Sequence, residues 1–320
     1  MIEVVKPGLS TTVQDAGRTG YYHLGIPPSG ALDQYSLRAA NLLVGNPDEA
    51  AVLECTFTGP RMRFGEPAVV AVTGGLLRPK VNGEDRALWE SFAVAAGDVL
   101  EFGTLEGGAR AYVAVSGGIA TEPKLGSRST YALGALGGFD GRPLQAGDVL
   151  PLGDGDGTPG RAIPEPLWPA FADAVEVRVV MGLYDHRLSA AGRATFLDST
   201  YELTPTSDRV GFRYKGDALE LVEREQPFGA GSDPSNIVDA PYPIGSIQIP
   251  GGTEPIVLHR DAVSGGGYLM VGTVIASDLD VIAQCQPSTP TRFVEVSLDQ
   301  ALEIRADHDR WEQRVRDAVG

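Results

Sequence analysis

Carboxylates, a guanidinium, phenols and hydroxyls crowd one short stretch, TTVQDAGRTGYYHLGIPPSGALD, from Thr11 to Asp33. It carries Gln14, Asp15, Arg18, Tyr21, Tyr22, His23, Ser29 and Asp33 among four glycines and two prolines. The run has neither a helical nor a strand period, so it reads as an ordered loop rich in hydrogen-bonding groups. Polar, aromatic loops of this length are often binding surfaces. The same residues would also suit an edge loop whose Asp15 and Arg18 pair with each other and with nearby backbone.

A second cluster, HRDAVSGGGYLMVGTVIASDLD, runs from His259 to Asp280. His259, Arg260, Asp261, Ser264, Tyr268 and Asp278 surround the triplet Gly265 to Gly267. A glycine-rich turn lets backbone approach a ligand closely and can aim N–H donors at a developing oxyanion. Asp261 or Asp278 would serve as general base where burial favours the neutral acid. The plainer alternative is a tight turn with Arg260 and Asp261 as solvated neighbours. A third group, Ser207-Asp208-Arg209, reads as an Asx-type turn before a strand, with Arg209 able to grip a carboxylate through two donors.

Other chemistries are struck off. No Gly-Lys dipeptide occurs, so there is no P-loop, and no G-x-S-x-G nucleophile elbow occurs either. No G-x-G-x-x-G stretch lies between an expected strand and an expected helix. The histidines at 23, 186, 259 and 308 have no His or Cys at metal spacing, and no metal site is expected.

The elements that must position these groups read mostly as strands. Ile2 to Val5 is a short strand stopped by Pro7-Gly8, and residues 32–46 have helical spacing ending at Gly45. Short Val-, Phe- and Tyr-rich runs follow, with Asn82-Gly83 marking a two-residue hairpin. AVTGG (71–75) echoes AVSGG (114–118 and 262–266), and AGDVL occurs at 96–100 and 146–150. Such echoes suit similar β-units in one barrel wall, with coincidence an alternative for the third copy. Residues 153–169 hold four glycines and four prolines and mark a boundary. Beyond it come a strand over 175–182, a short helix capped by Ser189, and mostly β structure through 284. The last segment is a helix opened by the capping-box pair Ser297 and Gln300. Two domains are expected, 1–152 and 171–320, joined by a linker at 153–170.

A formal charge of −16 over 320 residues weighs against nucleic acid, though a locally basic pocket on an acidic protein remains compatible with a small anion. Two cysteines make no disulfide framework. With no apolar run long enough to span a bilayer and no leader-like N-terminus, a cytoplasmic protein without membrane attachment is expected.

Read together, these stretches resemble the allophanate hydrolase subunit 2 family, also described as the biotin-dependent carboxyltransferase family, which includes the C component of bacterial ATP-dependent 5-oxoprolinase. TTVQDAGRTGYYHLGIPPSGALD, AANLLVGNPDEAAVLE, TGPRMRF, AYVAVSGGI, LGSRSTY, TSDRVGFRYKG, GSIQIPGGTEPIVLHRD, GGGY and TVIASDLDVIAQ carry the resemblance in order along nearly the whole chain. It implies a mainly β fold of two cyclophilin-like barrels with a few short helices and a C-terminal helix. It also implies a partner of the allophanate hydrolase subunit 1 type, the B component of 5-oxoprolinase. An A component joins them where the complex opens 5-oxoproline to glutamate using ATP. On that reading Arg18 or Arg260 holds a substrate carboxylate and Asp15 or Asp261 manages protons. Backbone around Gly266 and Gly267 faces the amide carbonyl, and Gln14, Tyr21, Ser29, Asp33, Arg209 and Tyr268 line the site.

The opening loop and residues 259–268 would then form two walls of one shared site. Where many members read D-R-Q-T-T-G-G-Y-P, this chain reads HRDAVSGGGYLM. Ser264 stands for a Thr hydroxyl, the amide side chain is missing, and Leu269 replaces the proline. The family also implies two other roles: the carboxyltransferase part of a urea carboxylase-type enzyme, or a regulator that antagonises an inhibitor of a sporulation kinase. The chain has no biotin-attachment signal and no ATP-grasp segment. ATP or biotin would be handled by other chains.

Overall fold

The computed structural model describes residues 1–319, which fall into two compact units. The first comprises residues 1–19, 29–171 and 309–319, and the second 20–28 and 172–308. Residues 153–170, expected as a linker, lie in the first unit, where Ala162 bridges to Glu90 and Ile163 is buried.

The protein is mainly β, but only the second unit closes into a barrel. Its seven strands are Val175–Met181, Met270–Val274, Ser246–Gln248, Ile256–Leu258, Gly211–Lys215, Tyr201–Leu203 and Pro290–Glu295, in spatial order. The first unit instead holds a six-stranded and a five-stranded sheet. Alternating residues of both sheets, such as Ile2, Val4, Met62 and Phe64 from one and Val70, Val72 and Val113 from the other, meet in one apolar core. These two sheets enclose that core face to face, in the place where the sequence predicts the first barrel.

Four helices complete the chain. Helix α1 (Gln34–Val44) is buried on nearly every side, is capped by Asp33, and ends at Gly45 in the left-handed conformation. Helix α2 (Ala190–Asp198) has the Ser189 hydroxyl accepting from Gly192 N–H. Helix α3 (Ala276–Ala283) replaces strand expected in that region. Its short apolar run satisfies either period, and burial of Asp278, Leu279, Ile282 and Ala283 selects the helix. Helix α4 (Leu298–Val319) opens with the expected capping box, Ser297 N–H to Gln300 Oε1 at 2.8 Å and Gln300 N–H to Ser297 Oγ at 3.2 Å.

Among the described residues no helix is long and apolar enough to cross a membrane, and no group of three His, Cys, Asp or Glu is placed to hold a metal ion.

Candidate functional site

The opening loop divides. Its two ends belong to the first unit and Gly20–Pro28 to the second.

In the first unit the strand Ser10–Gln14 delivers Asp15 against LGSRSTY. Asp15 Oδ1 accepts from Gly17 N–H at 2.8 Å, from Ser127 Oγ–H at 2.7 Å and from the Ser129 hydroxyl, while Oδ2 accepts from Arg128 N–H. A carboxylate offers about four acceptor positions, and four donors already meet this one. Arg18 is 1% exposed and donates from Nε to Lys124 O (3.0 Å) and from Nη2 to Ser129 O (2.8 Å). It braces the same 124–129 segment from the other side, so the carboxylate-holding role expected of Arg18 does not fit its surroundings.

The neighbouring candidates are equally engaged. Gln14 donates to Thr12 Oγ1 and Thr130 O and accepts from Gly30 N–H. Asp33 accepts from the Ser36 N–H (2.8 Å) and hydroxyl (2.6 Å) as the cap of α1. Ser29 is fully buried at φ 52°, a left-handed conformation uncommon outside glycine. Glu54 and Tyr112, which sequence reasoning passed over as strand residues, support this layer. Glu54 Oε2 accepts from Leu32 N–H (2.8 Å) and Tyr112 Oη–H (2.9 Å), and burial first, then Glu54 and Asp33, push the Tyr112 phenol well above its ordinary pKa. The LGSRSTY motif was the signal available for Ser127 and Ser129.

In the second unit the middle of the opening loop meets the second cluster. Tyr22 Oη lies 2.9 Å from Tyr242 O and 3.0 Å from Val263 O, donating toward both, and burial raises its pKa to about 12. Arg209 and Asp261, expected separately as a substrate ligand and a proton carrier, pair with each other: Nε to Oδ2 at 2.8 Å and Nη2 to Oδ1 at 3.3 Å. Their backbones are joined as well, Asp261 N–H to Arg209 O at 3.0 Å. His259 is fully buried, with Nδ1 accepting from Arg260 N–H (3.0 Å), so Nε2, 3.3 Å from Leu279 O, carries the proton. Asp278 is not a free base: it accepts from Arg178 N–H (2.7 Å) and Nε–H (2.9 Å) and pairs with Nη2.

The glycine triplet is a strand rather than a turn. Gly265–Tyr268 pairs antiparallel with Asn236–Pro241, Gly266 opposite Ala240. A Cβ on Gly266 would meet the Tyr242 ring at 3.0 Å, and one on Gly265 would meet Ala240 O at 3.2 Å. Tyr242 Oη locks the strand end by donating to Tyr268 O and accepting from Tyr268 N–H (2.8 Å). Of the candidates here, Tyr268 is 45% exposed, while Ser264, Gly266, Gly267, Arg260 and Tyr21 are half-buried. A separate cavity of about 660 Å³ beside Trp89 and Trp168 contains none of the candidates.

The family description "Carboxyltransferase domain, subdomain A and B" matches residues 24–295. The chain belongs to this family. Within it, the chain is 33% identical to the C component of 5-oxoprolinase from Escherichia coli (strain K12), over 98% of this chain and 97% of that protein. It is 34% identical to urea amidolyase of Lachancea kluyveri, over 98% of this chain but 18% of that protein. The crystal structure of the K. lactis urea amidolyase superposes with a TM-score of 0.93 at 33% identity, covering 98% of this chain and 20% of that one. This carboxyltransferase-family chain therefore spans about a fifth of the urea amidolyases and nearly all of the E. coli 5-oxoprolinase component.

Proposed function

We propose that this chain is the C component of a 5-oxoprolinase-type amidohydrolase, acting with its A and B components to open 5-oxoproline to glutamate with ATP hydrolysis. The observation that carries this reading is the end-to-end match with the E. coli 5-oxoprolinase component, against a fractional match to the amidolyases. Substrate-facing roles fall to candidates that retain exposure. Ser264 and the Gly266–Gly267 backbone would face the amide carbonyl, Arg260 the substrate carboxylate, and Tyr21 and Tyr268 the rim. Arg209, Asp261 and Tyr242 act as positioning residues that hold this segment, and Asp15 and Arg18 hold the base of the opening loop. ATP is handled by the other chains. The test is 5-oxoproline-dependent ATP hydrolysis by the three-component complex. Omitting this chain abolishes turnover; an undiminished rate without it rejects the reading.

The superposition on urea amidolyase favours a second reading, the carboxyltransferase component of a biotin-dependent enzyme. The biotin would be borne by another chain. Labelled bicarbonate appearing in a urea-like acceptor, with no 5-oxoproline turnover, would select it.

A further inference from the structure

The cavity of about 660 Å³ beside Trp89 and Trp168 is lined wholly by the first unit and by none of the residues assigned roles above. Its volume falls within the range of small-molecule pockets, about 300–1,000 Å³. Backbone pairing fixes its floor. Ile163 N–H donates to Trp89 O at 2.9 Å and Ser91 N–H to Arg161 O at 2.8 Å, so residues 161–163 run beside 89–91. Trp168 N–H donates to Glu165 O at 2.9 Å, and its indole N–H donates to Ile163 O at 2.7 Å. The second bond helps hold the Trp168 indole on that of Trp89, ring centres 5.7 Å apart and planes inclined by 21°. Leu76 and Phe171 come together beside Gly107, where an added Cβ would meet Leu76 Cδ1 at 3.3 Å and Phe171 Cβ at 3.6 Å. Trp89 is fully buried beneath, while Trp168, Phe171 and Leu76 keep part of their surface accessible. Contact with a ligand therefore falls to those three.

Glu90 and Glu165 line the same cavity, Glu90 half-buried and Glu165 exposed. Among the described residues neither carboxylate forms an ion pair or a hydrogen bond. Arg78, the cation in the lining, is exposed and lies 3.8 Å from Glu106 Oε2, so its charge is already offset. Two carboxylates are thus left unneutralised beside an accessible indole, in a protein whose net charge is −16. An indole face attracts a cation through its quadrupole. Walls of low dielectric strengthen the pull of the carboxylates at short range. An anion would be repelled here, and a neutral apolar body would strip water from the carboxylates with nothing in return.

We propose that this cavity is a binding site for a small organic cation, an ammonium group carried on an apolar body. The body packs on Phe171 and Leu76. The ammonium lies against the Trp168 indole and is neutralised by the carboxylates of Glu90 and Glu165.

The experiment is calorimetric titration of the full chain with phenethylammonium and, separately, with its neutral counterpart 2-phenylethanol and its anionic counterpart phenylacetate. One saturable site for the ammonium is expected, about tenfold tighter than for the alcohol, with no binding of phenylacetate. Glu165→Gln, at an exposed position that does not threaten folding, weakens ammonium binding about threefold and leaves the alcohol unchanged. Glu90→Gln weakens it further, because its carboxylate is the less solvated of the two. Glu303→Gln, an exposed change of equal charge on α4, leaves affinity unchanged. Failure of the ammonium to bind, equal affinity for ammonium and alcohol, or an equal loss in Glu303→Gln and Glu165→Gln overturns the proposal.

Discussion

Arg209 and Asp261 face each other across the second unit's glycine-rich cluster as a two-point ion pair, Nε to Oδ2 at 2.8 Å and Nη2 to Oδ1 at 3.3 Å. The Asp261 side chain is 6% exposed and that of Arg209 20%. Removing one partner of such a pair strands the other in a poorly solvated place, at a cost of about 3 kcal/mol. Asp261→Asn and Arg209→Ala should each lower urea-unfolding stability by roughly that amount, and the double variant by much less than the sum. Additive losses would show that the two residues act independently.

Asp15 makes a related prediction with a different cause. Its two oxygens accept from two backbone N–H groups and two serine hydroxyls. Asn at this position turns an acceptor into an amide donor that faces donors, so Asp15→Asn should cost about 2–3 kcal/mol. Ser127→Ala removes one bond and should cost about 1 kcal/mol. Chemical denaturation ranks the two; the reverse order would remove Asp15 from the centre of the network.

Tyr22 gives the pH test. Burial raises its phenol from 10.0 in the unfolded reference to about 12 in the folded protein, so the folded state resists losing the proton. The stability this provides is fully present below pH 10, falls as the unfolded state ionises above pH 10, and is gone once the pH has passed about 12. Tyr22→Phe should flatten the decline of stability between those limits and remove one phenol that titrates above pH 10 from the ultraviolet titration. An identical decline in the variant would place the effect on another tyrosine.

What the sequence disclosed depended on how local the determining physics was. Asn82-Gly83 alone sets a hairpin turn, and both residues take positive φ, 54° and 86°, with Val81 opposite Glu84. The AGDVL echo is one turn used twice: Asp98 Oδ2 accepts from Ala95 N–H and Asp148 Oδ2 from Gln145 N–H, each at 2.7 Å. AVTGG and AVSGG lie on neighbouring strands, with Ala71 opposite Ala114. Asp15 with Ser129 and Arg178 with Asp278 depend on strand order across about a hundred residues, which no local pattern encodes. The reading of Asp278 as a base failed for that reason. Burial and partners separate a proton carrier from a structural carboxylate, and composition reports neither.

The last turns of α4 supply a final prediction within the first unit. Trp311 stacks on Tyr35 of α1, ring centres 4.0 Å apart and planes inclined by 16°. Arg316 pairs with Asp48 (Nη1 to Oδ1 at 3.1 Å), and Val315 is buried in the core. The ion pair is half-exposed on both sides and contributes little, whereas the stacked indole buries a large apolar surface. Trp311→Ala should therefore cost about 3 kcal/mol, Trp311→Phe about 1 kcal/mol because a stacking ring remains, and Arg316→Ala at most about 0.5 kcal/mol. Urea unfolding of the three variants decides the order. A larger loss in Arg316→Ala than in Trp311→Ala would mean that charge, not the indole, fastens the end of the chain.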